Sequence, residues 1–267
     1  MATTTARPLE TGWLDDSPIE DSVLRQFIRN QSDLGATLAL ASGGRTAETH
    51  GVALADAGGE LAFLNQATLH RPLTGLDDPV LDAADDFWAH DANRPNLLLS
   101  AWPTPDLAAR GWRLEGHPMF VVRAPGPHPT RSDPGVELEV VEDETGLKTA
   151  ERVAAEGYPM PDLIGRPAGE VLAPGLLATD VRYRVGLLEG AAVGVAARYI
   201  GHGVVNLCLA ATLPAARRRG VWASLVWARV DDAPDLPAVA FTSDYSRPGF
   251  IRMGFLPITR FTLWARA

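Results

Sequence analysis

Three consecutive arginines stand directly before a glycine and an apolar segment. Arg217, Arg218 and Arg219 precede Gly220, and the apolar residues of Val221–Val230 predict a helix. The first amides of a helix lack intrahelical partners, and the helix dipole adds partial positive charge there. Arginines at such an end, with a glycine that lets the backbone approach a ligand, favour an anion-binding turn. The alternative is a solvated basic cluster, which is mildly destabilising at a helix start without an anion.

Three further residues near this turn carry groups that could react. Cys208 lies in an apolar predicted strand, so it is either an inert buried thiol or a nucleophile. Asp244 and Tyr245 follow a short predicted strand, at the end where α/β sheets place ligands. Tyr245 is either a catalytic group or an ordinary loop aromatic.

A regular order of predicted elements positions these residues. In the second half, hydrophobic patterns predict strands over Glu137–Val141, Arg184–Leu188, Ala192–Tyr199, Val204–Thr212 and Ala238–Thr242. They predict helices over Thr145–Gly157, Val221–Val230 and Phe250–Met253, with a closing hairpin after Gly254-Phe255. In the first half, the predicted elements are strands Leu61–Leu69 and Leu97–Ser100, helices Val80–Ala92 and Pro105–Arg110, and a hairpin over Trp112–Arg123.

The two halves resemble each other. Ala67-Thr68-Leu69 recurs as Ala211-Thr212-Leu213 at an offset of 144, and Gly111-Trp112 recurs as Gly254-Phe255 at an offset of 143. Several matches near one offset indicate an internal repeat, although coincidence between apolar strands is the alternative. Between the halves, the segment Ala124–Gly135 holds four prolines and two glycines, which predicts a linker. We therefore place a domain boundary near Thr130, with domains 1–130 and 131–267.

With these motifs, the sequence resembles the GNAT acyltransferase superfamily in its tandem form. The residues that carry the resemblance are Ala211–Leu225 and Phe250–Phe255. The resemblance implies an α/β (α+β) fold of two GNAT-like modules, each a mixed, mostly antiparallel sheet flanked by helices. It implies a GNAT domain in 131–267 and a degenerate GNAT-like domain in 1–130, which lacks the arginine-glycine turn and is expected to be structural.

The resemblance also implies a site that takes acetyl-CoA or another acyl-CoA. The turn before Val221 would hold the pyrophosphate, and a splayed preceding strand would hold the pantetheine arm. The implied cofactor-binding residues are Leu209, Ala210, Ala211, Thr212, Arg217, Arg218, Arg219, Gly220, Trp222 and Ala223. The substrate-binding candidates are Tyr158, Met160, Asp162 and Phe250, and the catalytic candidates are Tyr245, Asp244 and Cys208. The segment from Tyr158 to Asp162 either covers the acceptor pocket or is a rigid proline loop.

Two residues depart from the family pattern. Trp222 stands where the pattern has glycine or alanine. Its indole would either occupy the place of the pyrophosphate or turn inward and pack on Val226, one helical turn later. Phe250 stands where many members carry a tyrosine that protonates the leaving thiolate, and phenylalanine has no acidic proton. Tyr245 is the nearest substitute.

Composition limits the function classes. The 267 residues are 46% hydrophobic and carry a net charge of −9, which argues against a broad electrostatic grip on nucleic acid or an anionic membrane. One cysteine excludes an internal disulfide and any multi-cysteine metal site, so no metal is expected. We expect a cytoplasmic, globular protein that acts on a small molecule, with the oligomeric state left open.

Three functions remain open from the sequence. The first is an acyltransferase that moves an acyl group from acyl-CoA to a small-molecule amine. The second is an enzyme on the same scaffold that acts without coenzyme A on a biosynthetic intermediate, because a fold does not fix a function. The third is a non-catalytic ligand-binding module.

Overall fold

The computed structural model describes residues 22–91, 93–128, 135–158, 160 and 163–266. The helices are α1 (Val23–Ala41), α2 (Pro79–Trp88), α3 (Glu144–Gly157), α4 (Val221–Val230) and α5 (Arg247–Arg252). The first six strands are β1 (Arg45–Thr49), β2 (Val52–Asp56), β3 (Asn65–Leu69), β4 (Asn96–Ser100), β5 (Arg113–Gly116) and β6 (Met119–Arg123). The remaining strands are β7 (Val136–Val140), β8 (Arg182–Leu188), β9 (Ala191–Gly201), β10 (Val204–Thr212), β11 (Ala238–Thr242), β12 (Leu256–Arg260) and β13 (Thr262–Arg266).

The strands form two mixed sheets. One has six strands in the order β1-β2-β3-β4-β13-β5, and the other has seven in the order β12-β6-β11-β10-β9-β8-β7. Each sheet contains one parallel pair, β3 with β4 and β10 with β11, and its other pairs are antiparallel. This confirms the predicted fold class of two mostly antiparallel modules with flanking helices. Among the described residues, no helix is both long enough and apolar enough to cross a membrane.

The two sheets exchange a strand, so both predicted hairpins are wrong. β5 pairs with β13, whereas β6 leaves for the other sheet and pairs with β11 and β12. Reciprocally, β13 leaves β12 and pairs with β4 and β5. The link His117-Pro118, in the middle of the predicted hairpin Trp112–Arg123, therefore crosses between the sheets.

The two crossing links contact each other and are packed under aromatic rings. The Phe261 amide donates to the Pro118 carbonyl at 2.9 Å, and Arg260 Nη1 donates to the His117 carbonyl at 2.7 Å. The Phe27 ring lies 5.8 Å from that of Phe261 and 4.5 Å from that of Phe120. These rings are buried, so the crossing is part of the core. Aromatic packing of this kind outweighs the local preference for a tight turn.

The internal repeat is visible in the order of elements. α2 and β4 begin 142 residues before α4 and β11, and β5 and β6 begin 143 residues before β12 and β13. Gly111 and Gly254, at equivalent places before β5 and β12, have positive φ values of 78° and 82°. Glycine adopts this left-handed backbone without steric cost. The predicted boundary near Thr130 falls outside the described residues.

Several predicted elements in the first half differ from the structure. The predicted strand Leu61–Leu69 begins with a short 3-10 turn and becomes a strand only at Asn65. The predicted helix Pro105–Arg110 is a single 3-10 turn over Ala108–Arg110, because the segment is too short for a stable helical nucleus. The long helix α1 and the β1–β2 hairpin were not predicted.

Helix α1 lies between the two sheets. It packs on β2 and β3 of the first sheet and on β9 and β10 of the second. Asn30 is fully buried and donates from Nδ2 to the Gly201 carbonyl at 3.0 Å. Its neighbour Gln31 accepts a 3.2 Å hydrogen bond from Asn206 Nδ2 of β10. The first half of the chain is therefore held against the strand that carries the candidate site.

Candidate functional site

The centre of the site is a divergence of two parallel strands. β10 and β11 pair only at Val205 with Ala238 and at Asn206 with Val239. Both strands continue, to Thr212 and Thr242, without further pairing to each other. Since paired strands lie about 4.8 Å apart, the loss of pairing opens the sheet beyond Asn206. This opening agrees with the splayed strand that the resemblance implied.

A β-bulge lies just beyond the divergence. In β10, Leu209 and Ala210 stand opposite the single residue Ala196 of β9. Leu209 has a φ of 47°, in the left-handed region that a bulky residue seldom occupies. Bulges of this kind bend a strand and free backbone groups from the ladder. The bulge thus presents backbone polar groups at the start of the opening.

The opening forms a cleft of about 2060 Å³. Pockets for single small ligands usually measure about 300–1,000 Å³, so this cleft has room for an extended ligand or two reactants. Its charged lining residues are all arginines, namely Arg123, Arg217, Arg218, Arg229 and Arg252. None of its lining residues, all of them in the described part of the chain, is an aspartate, glutamate or histidine. In a chain of net charge −9, such a cleft favours an anionic ligand.

The three arginines before α4 have different roles. Arg217 donates to the carbonyls of Thr212 at 3.3 Å and Gly157 at 3.0 Å, so it ties the turn to the end of α3. Arg219 forms a 3.0 Å ion pair with Glu189, outside the cleft lining. Arg218 lines the cleft and makes no hydrogen bond or ion pair with the described residues. Of the three guanidiniums, that of Arg218 is therefore the one free to meet an anion.

The turn itself has the backbone expected of an anion cradle. Gly220 has a φ of 83° and no side chain at the start of α4, and Arg218 has a φ of 65°. The first intrahelical bond of α4 is donated by Ser224 to the Gly220 carbonyl. The amides of Val221, Trp222 and Ala223 precede it and have no intrahelical acceptor.

Trp222 contacts α5. Its indole meets the Phe250 ring edge-on, with centroids 4.9 Å apart, and lies against Gly249. A Cβ atom at position 249 would stand 2.8 Å from the indole, so only glycine fits there. The indole thus joins α4 to α5 and packs against the apolar cluster that contains Phe250 and Val226, while it also lines the cleft. Its contact with α5 was not part of either sequence interpretation.

The three catalytic candidates are placed differently. Cys208 is partly exposed on the cleft, yet the protein atoms around it raise its pKa to about 12. Asp244 pairs with Arg260 at 2.8 Å and Arg247 at 3.1 Å and is not a lining residue. Hydrogen bonding to Arg260 lowers the pKa of Asp244. Tyr245 lines the cleft with a side chain that is 99% exposed. At neutral pH, Cys208 is therefore a neutral thiol and Asp244 a paired carboxylate.

The structure does not bring the four proposed acceptor residues together in the cleft lining. Tyr158 lines the cleft and is exposed, and Phe250 lines it and is buried. Met160 is partly buried, but it is not among the lining residues. Asp162 lies outside the described residues.

The first half of the chain also lines the cleft, a contribution that the expectation of a structural half did not include. Gln31, Leu34 and Leu38 of α1 line the cleft, together with Gln66. Gln31 Nε2 donates to Gln66 Oε1 at 3.3 Å, and Gln66 Nε2 in turn donates to Thr68. With Asn206, the glutamines form a row of neutral amides at the divergence. Sequence reasoning missed them because single glutamines carry no motif.

A Ser-His-Glu arrangement in the first half resembles a hydrolytic triad but lies outside the cleft lining. His70 Nε2 lies 2.8 Å from Ser32 Oγ, and Nδ1 lies 3.2 Å from Glu48. The neighbours of Nδ1 oppose each other, because Arg29, at 3.0 Å, can only donate and the Glu48 carboxylate can only accept. The Ser32 hydroxyl proton is used on the Ile28 carbonyl, so Nε2 carries the proton towards Ser32 and Nδ1 accepts from Arg29. Ser32 then accepts from His70 and donates to the Ile28 carbonyl at 3.0 Å. Burial and Arg29 lower the pKa of His70, which keeps the ring neutral. The serine is consequently not activated.

Sequence reasoning also missed Arg229. It lines the cleft from α4, is completely buried and donates to backbone carbonyls of β9 and β10. Its only signal in the sequence was a single arginine in an otherwise apolar helix, which is equally typical of a half-exposed helix face.

Comparisons with known proteins identify the fold. No protein-family model matches the sequence, and no curated protein matches it. A GCN5-related N-acetyltransferase from Kribbella flavida superposes with a TM-score of 0.61 at 18% identity, covering 88% of this chain and 95% of that one. A GCN5-related N-acetyltransferase from Sphaerobacter thermophilus gives 0.54 at 11% identity, covering 89% and 91%. A conserved protein of unknown function from Staphylococcus epidermidis gives 0.59 at 10% identity, covering 82% and 92%. The likeness extends over most of each chain, and at these identities it concerns the fold.

Proposed function

We propose, from the premise that this chain has the fold of the GCN5-related N-acetyltransferases in two modules, that it is an acyltransferase. It moves an acyl group from acyl-CoA to a small-molecule amine bound in the same cleft. The observation that carries this proposal is the divergence of β10 and β11 beside the turn at Gly220. The divergence opens a cleft whose charged lining groups are arginines.

The part of the cleft formed by Arg218, the start of α4 and the bulge, here called the donor end, fits coenzyme A chemistry. The thioester supplies an activated acyl carbon and a thiolate leaving group. Arg218 and the free amides at the start of α4 would hold the phosphates, because both are uncommitted donors of positive character. The residues of the bulge, Leu209 and Ala210, would hold the arm through backbone groups. Arg217 supports the turn from outside by its bonds to Gly157 and Thr212.

The part of the cleft at the divergence of β10 and β11, here called the acceptor end, is lined by uncharged residues of α1, β3 and β10 and is rich in side-chain amides. Gln31, Gln66 and Asn206 offer hydrogen-bonding groups at the divergence, and Leu34 and Leu38 add an apolar wall. No carboxylate among the described lining residues offers a partner for an ammonium ion. The amine therefore enters in its neutral, nucleophilic form, and its proton leaves to water after attack.

Binding can be tested with a matched pair of variants. Arg218→Gln removes the uncommitted guanidinium, and Arg219→Gln removes the neighbouring one that pairs with Glu189. In calorimetric titrations with acetyl-CoA, Arg218→Gln should weaken binding by about 10-fold or more, and Arg219→Gln by less than about 3-fold. Absence of acetyl-CoA binding by the wild type, or equal losses in both variants, would contradict the proposed donor site.

A second function, ligand binding without acyl transfer, is favoured by one observation. The described lining residues include no aspartate, glutamate or histidine that could serve as a general base, and the pKa of Cys208 is raised to about 12. Thiol release from acyl-CoA in the presence of a panel of primary amines separates the two. Release above the amine-free rate supports acyl transfer, and tight binding with no release supports the binding module.

A further inference from the structure

Arg229 of α4 is a buried charge without an acidic partner. Its side chain is 0% exposed. Nε donates to the Leu225 carbonyl at 2.9 Å, and Nη1 donates to the carbonyls of Ala197 at 2.9 Å and Cys208 at 3.2 Å. Nη2 has no hydrogen-bond partner within the described parts of the chain. Fully buried charges in proteins are normally paired, so this arrangement is incomplete as it stands.

The surroundings of Arg229 carry an excess of positive charge. The nearby carboxylate of Asp232 is already shared by Arg184, at 2.6 and 2.7 Å, and Arg198, at 2.8 Å. The Cys208 thiol beside Arg229 is neutral, because desolvation by the surrounding protein atoms raises its pKa to about 12. Burial lowers the pKa of Arg229 to about 10, so the guanidinium stays charged at neutral pH. Three guanidiniums therefore face one carboxylate.

Arg229 stands where the two strands part. Its acceptor, the Cys208 carbonyl, precedes the bulge and lies two residues beyond Asn206, the last residue of β10 paired with β11. Arg229 also follows Gly220 by nine residues on the same helix, a distance of about 14 Å along the axis. A ligand whose phosphates lie at the start of α4 and whose arm extends about 14 Å along the helix would bring its far end to the level of Arg229.

We propose that Arg229 binds a carboxylate at the far end of the acyl group, so that the preferred donor is the coenzyme A thioester of a dicarboxylic acid. This inference rests on the proposed acyltransferase function. A guanidinium binds a carboxylate through charge-assisted hydrogen bonds, and Nη2 is the uncommitted donor of an arginine that belongs to the cleft lining. An acetyl group offers no acceptor there and leaves Nη2 unsatisfied. Because Arg229 projects from the helix that begins at the phosphate turn, we assign the carboxylate to the donor rather than to the acceptor.

Calorimetric titration of the wild type with succinyl-CoA and acetyl-CoA tests the assignment directly. Succinyl-CoA should bind about 10-fold more tightly or better. Arg229→Gln should abolish this preference, whereas Arg218→Gln should weaken both donors by the same factor. Should Arg229→Gln fail to fold, the preference of the wild type decides the question alone.

The possible failures are distinguishable. Tight and equal binding of the two donors overturns the carboxylate site and leaves the acyltransferase proposal intact. Binding of neither donor overturns both. The carboxylate bound by Arg229 could instead belong to the acceptor amine. Titration of glycine into the wild type saturated with coenzyme A tests this source. Arg229-dependent binding of glycine, with no preference between donors, would assign the carboxylate to the acceptor and overturn the donor assignment.

Discussion

At the residue scale, two neighbouring groups of the cleft keep one protonation state over the neutral pH range. Arg229 remains positive, and Cys208 remains a thiol because its surroundings disfavour the thiolate. The sequence left the role of Cys208 open between a nucleophile and an inert thiol. The structure favours the inert thiol on electrostatic grounds, since a nucleophile needs an accessible thiolate.

The sole cysteine makes this point measurable. With the pKa of Cys208 near 12, its thiolate fraction at pH 8 is on the order of 1,000-fold below that of an ordinary thiol. Labelling of the native protein with an aromatic disulfide reagent should be slower than labelling of the denatured chain by a comparable factor. Labelling of the native protein at the rate of the denatured chain would contradict the assignment and return Cys208 to the list of nucleophiles.

At the element scale, one contact in each half of the chain holds a helix in place: Asp78 at the start of α2, and Trp222 between α4 and α5. Asp78 caps α2, accepts from the Val80 and Thr74 amides and is paired with Arg71 at 2.7 Å. The Asp78 side chain is 0% exposed, and its bond to Arg71 holds its pKa well below the usual range. In the second module, α4 and α5 are joined by the Trp222 indole over Gly249.

Replacement of Asp78 should lower stability in a pH-dependent way. Asp78→Asn should reduce the free energy of unfolding by roughly 2–3 kcal/mol at pH 7. A carboxylate with a depressed folded-state pKa stabilises fully above its unfolded value of about 4, and this stabilisation is lost as the pH falls. The difference from the wild type in urea denaturation should therefore be constant between pH 7 and about pH 5 and shrink progressively below about pH 4. Asp77→Asn, at the exposed neighbour, is the control and should change stability little. A difference that is independent of pH would contradict the ionic origin.

The contact between Trp222 and Gly249 predicts a compensating pair. Gly249→Ala places a methyl group 2.8 Å from the indole and should cost about 1–3 kcal/mol by overpacking. In a Trp222→Ala background, the same change should cost much less, and a double-mutant cycle in thermal or urea unfolding measures the coupling. Additive effects would show that the indole is free to move.

The elements that local signals specify were predicted well, and those specified by distant partners were not. The apolar runs Val204–Thr212, Val221–Val230 and Ala238–Thr242 matched the observed elements at both ends. The hairpin at His117 was wrong because alternation along a strand does not show which strand pairs with it. The position of Trp222 depends on Gly249, and that of Arg229 on the bulge in β10, so neither followed from its own neighbours in sequence.

At the scale of the whole molecule, strand exchange makes each module depend on the other. β6 from the first half lies between β11 and β12, and β13 from the second half lies between β4 and β5. Helix α1 adds a second dependence, because it packs on both sheets and lines the cleft. The repeat was detectable from its offset, whereas the strand exchange was not. Sheets that exchange β6 and β13 and sheets that keep their own strands would use the same elements in the same order along the chain.

Separation of the halves should therefore destroy both. The fragment 131–267 lacks β6 and would expose an unpaired β11 edge, which favours aggregation. We expect the fragments 1–130 and 131–267 to be poorly folded alone and to recover the circular dichroism spectrum of the whole chain when co-expressed. The intact chain should melt in one cooperative transition. A fragment 131–267 that melts alone at the temperature of the whole chain would contradict this interdependence.

The central claim is that acyl-CoA binds between the divergent strands and the start of α4. Hydrogen-deuterium exchange of the wild type, with and without saturating acetyl-CoA, tests it at the level of backbone amides. The account predicts slower exchange in the peptides that cover Leu209–Thr212 and Arg218–Ala223, the bulge and the turn. Peptides of the exposed strand β1 should exchange unchanged and serve as the internal control. Unchanged exchange in both cleft segments at saturating ligand, or protection confined to other regions, would contradict the claim.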